Sequence, residues 1–380
     1  MGPDRLLAAV KAALAGGPPF FLPDAVHDVP ALPPQAAVAV ATSGSTGLAR
    51  YVALSAAAVR ASAAASAAAL GGSGNWLLAL SPRHIAGLNV AARAALAGAA
   101  LVGLAPGPFT AEAFAAAAAA LPGGPRFTSL VPTQLRRVLA GPPEAIRALA
   151  AFTAVLVGGA SLDPSLRALA GRAGVRLVET YGMAETCGGC VYDGRPLAGL
   201  EIALAGPGVI ELSGPMLALG YAEAGRPEPG QPMPALGGAE PGQTAPTGSG
   251  FFERQGRRWF ASSDLGRWEA AGGGQRRLLV LGRTDNAITT GGHTIAAEAV
   301  EAALRELDEV ADALVVGLPS AEWGSSVTAL AVPADGAGLD LAALRGHVRA
   351  RLGAAAAPRL AGLVSKLPQV APGKPDRAAA

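Results

Sequence analysis

The chain has 380 residues, of which 51% are hydrophobic and only 15% charged, with 30 basic against 28 acidic side chains and a net charge of +2. That length predicts two or three domains, and the charged fraction lies below the usual roughly 25%. No dense basic stripe of the kind a nucleic-acid binder carries is present. The segment MGPDRLLAAVKAALAGG is broken by Lys11 and reads as a surface helix rather than a signal peptide. MGPDRL also lacks the Ser or Thr of a myristoylation motif. Long apolar runs are Ala-rich and interrupted, as by Arg60, so no membrane insertion is expected and the protein reads as soluble and cytoplasmic.

The first half alternates short β-type runs with helical ones. AAVAVA (36–41) and YVALS (51–55) read as strands, and Ser55 is placed to cap the long Ala-rich helix that follows. WLLAL (76–80), LVGL (101–104), RFTSLV (126–131), AVLVGG (154–159) and VRLVET (175–180) are further strands. Helical segments separate them: 87–99, 110–121, 133–140 and 163–174. Strand–helix units of this length predict an α/β fold, with a largely parallel sheet covered by helices.

From about residue 199 the pattern becomes β-rich, with GLEIALA, GVIELSG, RRWFASSD and RRLLVLG as strands. The Gly/Pro-dense stretch 222–250 reads as a mobile loop on which no structure is forced. The last hundred residues form a small α+β unit: helices over 294–307 and 341–352, strands over 309–319, 326–334 and 361–368. The domain boundary is placed at GRTDN, giving domains 1–284 and 285–380.

Several short motifs carry chemistry. ATSGSTGLAR (41–50) follows a strand with Ser, Thr and Gly residues whose N–H groups and hydroxyls can face an anion. It lacks the Walker A spacing, so it is either another phosphate loop or a flexible turn. TYGMAET (180–186) sets Glu185, an oxygen donor suited to Mg²⁺ or else a solvated carboxylate, beside Tyr181 and Thr186. Asp264 and Arg283 suit a sugar with its phosphate, or form an ordinary surface ion pair. Lys374 sits in APGKPDR, between Gly and Pro. Cys187 and Cys190 make one C-x-x-C pair: half of a zinc site, a redox dithiol, or two reduced residues in a glycine-rich loop.

Taken in order, TSGSTG, GGA, YGMAET, SD, GRTD, GG and PGK resemble the adenylate-forming superfamily of acyl-CoA synthetases, peptide-synthetase adenylation domains and firefly luciferase. The resemblance covers nearly the whole chain. It implies a large N-terminal domain, with helix-covered parallel-type sheets and a β-rich subdomain, and a small mobile C-terminal α+β domain. It implies ATP, Mg²⁺ and coenzyme A as cofactors. Thr42, Ser43, Gly44, Ser45, Thr46 and Gly47 would grip the β- and γ-phosphates, and Gly158, Gly159 and Ala160 would lie against adenine. Tyr181 would stack on adenine, with Gly182 and Met183 in the same motif; Thr186 and Glu185 would serve the α-phosphate and Mg²⁺. Asp264 and Arg283 would hold ribose, Asp285 would be the hinge, Gly291 and Gly292 would line the pantetheine channel, and Lys374 would be the catalytic lysine. The loop departs from the usual T-G-x-P-K-G: it reads TGLARY, with Arg50 in place of lysine.

LVPTQL, VLVGGASL, ITTGGHTI and the stretch 179–202 resemble short actinobacterial o-succinylbenzoate–CoA ligases of menaquinone synthesis. Such a substrate has an aromatic ring and two carboxylates. Gly188, Gly189 and Cys190 are small enough to admit the ring; His84 falls where this family lines its acyl pocket. Ser129, Thr133 and Gln134 are candidates for the second carboxylate. The same chemistry on another aryl or acyl acid and an inactive nucleotide-binding relative are the alternatives. Small molecules are the expected partners, and a homodimer is left open.

Overall fold

The computed structural model describes residues 1–22, 31–42, 50–223, 250–334, 338–371, 374–377 and 379–380. The chain divides into two compact units. The first comprises Met1–Ile202, Leu212–Ala261 and Ala271–Arg277; the second comprises Ala203–Glu211, Ser262–Ala270 and Leu278–Ala380. Arg283 and Asp285, on either side of the boundary expected at 284/285, both belong to the second unit.

The first unit opens with α1 (Pro3–Leu14), whose Leu6, Val10, Ala13 and Leu14 recur at helical spacing and are buried. Strand β1 (Ala36–Thr42) pairs antiparallel with β2 (Arg50–Ser55), with Thr42 opposite Arg50. Helix α2 (Ala56–Leu70) starts where Ser55 accepts a hydrogen bond from the Ala58 amide at 3.1 Å. It stops at Gly71, in the left-handed conformation at φ +86°.

A seven-stranded sheet forms the centre of this unit. It is built from β3 (Asn75–Leu78), β4 (Leu101–Gly103), β5 (Arg126–Leu130), β6 (Ala154–Gly158), β7 (Leu177–Met183), β8 (Gly188–Tyr192) and β9 (Arg195–Pro196), in the order β4-β3-β5-β6-β7-β8-β9. Pairing is parallel from β4 to β7 and antiparallel from β7 to β9. The connections are helices α3 (Ile85–Ala97), α4 (Ala111–Ala119), α5 (Pro132–Leu139), α6 (Pro143–Ala150) and α7 (Pro164–Arg172). Phe114 of α4, wholly buried, packs with Phe109 and Phe152 at ring separations of 6.2 and 5.7 Å. Leu130, Leu135, Leu149 and Val155 complete the same core.

The β-rich stretch gives β10 (Glu201–Ala205), β11 (Val209–Ser213), β12 (Gly220–Glu223), β13 (Phe251–Arg254), β14 (Arg257–Ala270) and β15 (Arg276–Arg283). β12 joins the sheet of β1 and β2 through β2. The others follow the order β10-β11-β14-β13, with β15 against β14.

In the second unit, β16 (Ala287–Thr290), β17 (His293–Ala296), β18 (Val310–Ser320), β19 (Gly324–Pro333) and β20 (Leu360–Leu363) form a sheet of order β17-β16-β19-β18, with β20 parallel to β19. Helices α8 (Ala297–Leu304) and α9 (Leu341–Leu352) cover it, burying Val300, Leu304, Leu344 and Val348 with Val315 and Val327. The sequence predicts helix from residue 294, but 293–296 are strand. The Gly291–Gly292 turn, with φ of +53° and +78°, folds them back so that Ile295 pairs with Ile288. A two-stranded pair, β21 (Gln369–Ala371) and β22 (Lys374–Pro375), closes the chain, with Ala371 opposite Lys374.

Replacing Phe114 with Ala is expected to destabilise the first unit by about 3–5 kcal/mol, read as a lowered midpoint in urea.

Candidate active site

The carboxyl ends of the parallel strands lie along one edge of the central sheet, where open α/β sheets bind ligands. Register puts Ser129 beside Leu156, and Gly158 beside Thr180. That edge therefore gathers Ser129, the Gly158–Gly159–Ala160 segment and Tyr181, with the loop to His84 following β3. Gly158 is dictated by close approach: a Cβ there would overlap Thr180, whose hydroxyl donates to Val157 O at 3.3 Å. Gly159 takes φ +80°.

β7 continues into a 3₁₀ turn over Ala184–Thr186. A Cβ on Gly182 would overlap the Gly188 carbonyl, so only glycine lets β7 and β8 approach this closely. The Thr186 hydroxyl is fully buried. It accepts from the Met183 amide at 3.0 Å and lies 2.9 Å from Gly188 O and 3.1 Å from Met183 O. In this structure its hydrogen bonds thus lie within its own loop, where it shapes the turn. Glu185 is half-buried, and its carboxylate accepts from the Tyr221 hydroxyl at 2.6 Å. The Glu185 carbonyl accepts from the Ala218 amide at 2.8 Å. Tyr221, on β12, carried no signal in the sequence that tied it to Glu185.

Helix α3 lies along β8. Ile85 and Asn89 meet Gly188, and Arg93, one further helical step on, meets Tyr192. Asn89 Nδ2 donates to Cys187 O, and a Cβ on Gly188 would overlap that amide. His84 is exposed at the N-cap of α3 and makes no side-chain cap bond. Ser129 is buried on β5, whereas Thr133 is exposed on α5. Gln134 is occupied at both ends: its Oε1 accepts from the Val131 amide at 3.1 Å, and its Nε2 donates to Ala79 O at 2.9 Å. It caps α5 and offers no free amide to a carboxylate.

The sequence reading passed over Arg93. Its side chain is 8% exposed, and Nη2 donates to the Tyr192 hydroxyl at 3.1 Å, which lies 2.8 Å from Ser66 Oγ. The guanidinium sits 5.3 Å from the Trp76 ring centre, and its Nε has no hydrogen-bond partner. It borders a cavity of about 280 Å³ with Arg60, Ser66, Trp76 and Leu96. Among the described residues no carboxylate pairs with it. A buried cation without a counter-ion has a large desolvation penalty, so the position suits an anionic guest.

Cys187 and Cys190 are buried and free of any disulfide. Burial pushes the Cys190 thiol up to about 12 and the Cys187 thiol higher still. The thiolate is the reactive form, and burial disfavours it at both positions. Together with Gly188 and Gly189 they keep this wall small.

In the second unit the Arg283 guanidinium lies 2.8 Å from Asp285 and 3.8 Å from Asp264. The Arg283 amide also donates to Glu298 at 3.3 Å. The backbone of Lys374 pairs with Ala371. Three residues on, Arg377 donates to Glu301 at 2.7 Å, to Val315 O at 2.6 Å and to Glu298 at 3.4 Å. Ser43, Gly44, Ser45, Thr46 and Gly47 lie outside the described residues, as do the side chains of Arg50 and Lys374. Thr42 and the backbone of Arg50 flank that loop as paired strand residues.

No helix among the described residues is long and apolar enough to cross a membrane. No group of three or more His, Cys, Asp or Glu among them is arranged to hold a metal.

The family described as AMP-binding enzyme matches residues 8–222, and the one described as AMP-binding enzyme C-terminal domain matches residues 299–374. The chain belongs to the AMP-binding enzyme family. It is 41% identical to a Mycobacterium tuberculosis (strain ATCC 25618 / H37Rv) protein described as a probable 2-succinylbenzoate–CoA ligase, over 345 residues, 90% of this chain and 83% of that protein. Among solved structures, apo MatB from Rhodopseudomonas palustris matches with a TM-score of 0.71 at 23% identity, over 96% of this chain and 70% of that one. The o-succinylbenzoate CoA synthetase MenE of Bacillus subtilis, in complex with the acyl-adenylate intermediate OSB-AMP, matches with a TM-score of 0.65 at 24% identity, over 93% of this chain and 69% of that one. These two likenesses bear on the fold.

In the folded protein near pH 7, both cysteines are expected to resist a thiol reagent and to react after denaturation. Rapid labelling of either one in the native state would contradict the burial described.

Proposed function

We propose that this chain is an ATP-dependent 2-succinylbenzoate–CoA ligase. The observation that carries the reading is the 41% identity to the mycobacterial protein, sustained over 90% of this chain. With ATP and CoA as co-substrates, the cytoplasm is the compartment this reading expects.

The chemistry has two steps. A carboxylate oxygen attacks the α-phosphorus of ATP, the bond to the bridging oxygen breaks, and pyrophosphate leaves. The CoA sulfur then attacks the acyl carbon of the mixed anhydride, and AMP leaves. In the first step the protein's work is positioning and neutralising charge. Tyr181 and the Gly158–Ala160 strand end would hold adenine, Asp264 and Arg283 the ribose, and the Thr42–Gly47 loop with Arg50 the leaving phosphates. Lys374 would steady the charge that develops around the α-phosphate. Mg²⁺ keeps most of its waters and leans on substrate phosphates. The donor set fits that habit, since Glu185, aligned by Tyr221, offers a single carboxylate. When bound, the ion would offset phosphate charge there. For the second step Asp285 would act as hinge, and Gly291 and Gly292 would admit the pantetheine arm.

The substrate's second carboxylate needs a cation, and Arg93 supplies one. It lies on the face of α3 that also carries Ile85 and Asn89 against β8.

With 2-succinylbenzoate, pyrophosphate release and CoA-thioester formation are both expected, far above the rates with benzoate, fatty acids or amino acids. Equal rates with benzoate would overturn the substrate assignment. Replacing Lys374 with Ala is expected to slow adenylation on the order of 10²–10³-fold. Replacing Arg93 with Ala is expected to raise KM for 2-succinylbenzoate about 10- to 100-fold, with little change for monocarboxylic acids.

A further inference from the structure

Glu298, in the first turn of α8, is held from two directions. On one side lies the segment of the hinge expected at Asp285. The Arg283 amide donates to Glu298 Oε2 at 3.3 Å, Asn286 Nδ2 donates to Oε1, and a Cβ on Gly282 would overlap the carboxylate. On the other side lies Arg377, whose Nη2 donates to the same Oε1 at 3.4 Å. One carboxylate thus joins residues 282–286 to a residue three places beyond Lys374.

Arg377 is in turn fixed by α8 and β18. Its Nη1 donates to Glu301 Oε1 at 2.7 Å and to Val315 O at 2.6 Å. The side chain of Glu301 is 5% exposed and that of Arg377 23%, so salt screens this pair little. Next to it the Asp376 amide donates to Pro368 O at 2.9 Å, and Ala371 lies opposite Lys374. Main-chain bonds and guanidinium together fix the backbone that bears the lysine. A group placed in advance has less freedom to lose when it meets its reacting partner. Loss of Arg377 would still leave Glu301 with partners: Arg305 lies 3.6 Å from Oε2, and the Val315 amide donates to Oε1 at 2.9 Å. The unit is therefore expected to fold without it.

We propose that Arg377 is a positioning residue for Lys374 and that Glu298 ties it to the hinge segment. This rests on the ligase reading, in which Lys374 steadies charge in the first step and Asp285 is the hinge. Arg377 and Glu298 therefore act in adenylation and not in transfer to CoA. A change of backbone at 283–286 displaces two donors to Glu298, and Arg377 shares the oxygen that one of them occupies. Hinge segment and lysine segment answer to the same carboxylate.

The test separates the two half-reactions in the full-length protein. A single turnover of pyrophosphate release from ATP and 2-succinylbenzoate, without CoA, reads the first. Thioester formation from purified acyl-adenylate and CoA reads the second. The variants are Arg377→Gln, Arg377→Lys, Glu298→Ala and Lys374→Ala, with Arg377→Gln also combined with each of the last two. A thermal melt confirms that each one folds. For Arg377→Gln, adenylation is expected to slow about 10- to 100-fold, the range for a misplaced reacting group, and Arg377→Lys is expected to recover part of the loss. Transfer from the preformed acyl-adenylate is expected to stay within about twofold of the wild type, since no interaction of that step is removed. On top of Lys374→Ala, Arg377→Gln is expected to add less than about twofold, because residues that act through one group are not additive. Glu298→Ala is expected to slow adenylation too, and to add less than about twofold on top of Arg377→Gln. Equal slowing of both half-reactions would make Arg377 a structural prop and overturn the proposal. So would unchanged adenylation in Glu298→Ala, an unslowed Lys374→Ala beside a slowed Arg377→Gln, or a full further loss in the Lys374→Ala background. A wild type that releases no pyrophosphate with 2-succinylbenzoate overturns the ligase reading and this inference together. An active wild type with an indifferent Arg377→Gln overturns this inference alone.

Discussion

The candidate site depends on three places where backbone meets backbone, or a buried amide, too closely for a Cβ. At Gly158 a side chain would strike Thr180; at Gly182 it would strike the Gly188 carbonyl; at Gly188 it would strike Asn89. These contacts fold β7, its 3₁₀ turn and β8 into one tight bend under α3. The bend sets the direction in which Tyr181 and Glu185 leave the backbone, and it spends the Thr186 hydroxyl as an internal brace. A methyl group at any of the three positions would push the bend apart before it affected any ligand directly.

Around this bend the polar groups divide their work. Thr186, Asn89 and Gln134 bond to main chain and hold geometry. Glu185 is steadied by one phenol and keeps a carboxylate that is half-buried. Arg93 is nearly enclosed, with a hydroxyl and a ring for company and one nitrogen unpartnered. A group left unsatisfied in a buried place is costly, and such costs tend to persist where binding relieves them.

Much of the fold was legible because its signals are local. Ser55 and Gly71 bracket α2 by side-chain capping and left-handed φ. The apolar strand runs from 76 to 180, separated by helical segments, predict the parallel sheet. Strand β17 was misread because Thr294–Ala296 continue the helical pattern of α8, and only the preceding glycine turn forces them into a hairpin. Site roles were less legible, because they depend on where a side chain's hydrogen bonds end up. The motif around Thr186 suggests a ligand contact, yet its hydroxyl turns inward; LVPTQL offers Gln134, yet that amide is a cap. Arg93 sits in an Ala-rich helix with no motif around it. Its burial and missing counter-ion exist only once α3 is laid over β8.

Arg377 bears on how Lys374 can travel. Its guanidinium is clamped to two carboxylates of α8 and to a carbonyl of β18. Three residues of chain span at most about 10 Å, so the lysine backbone is on a short leash to that helix. If the lysine serves the first half-reaction and must be gone for the second, it does not leave by a tail flexing on its own; the whole body that carries α8 must swing with it.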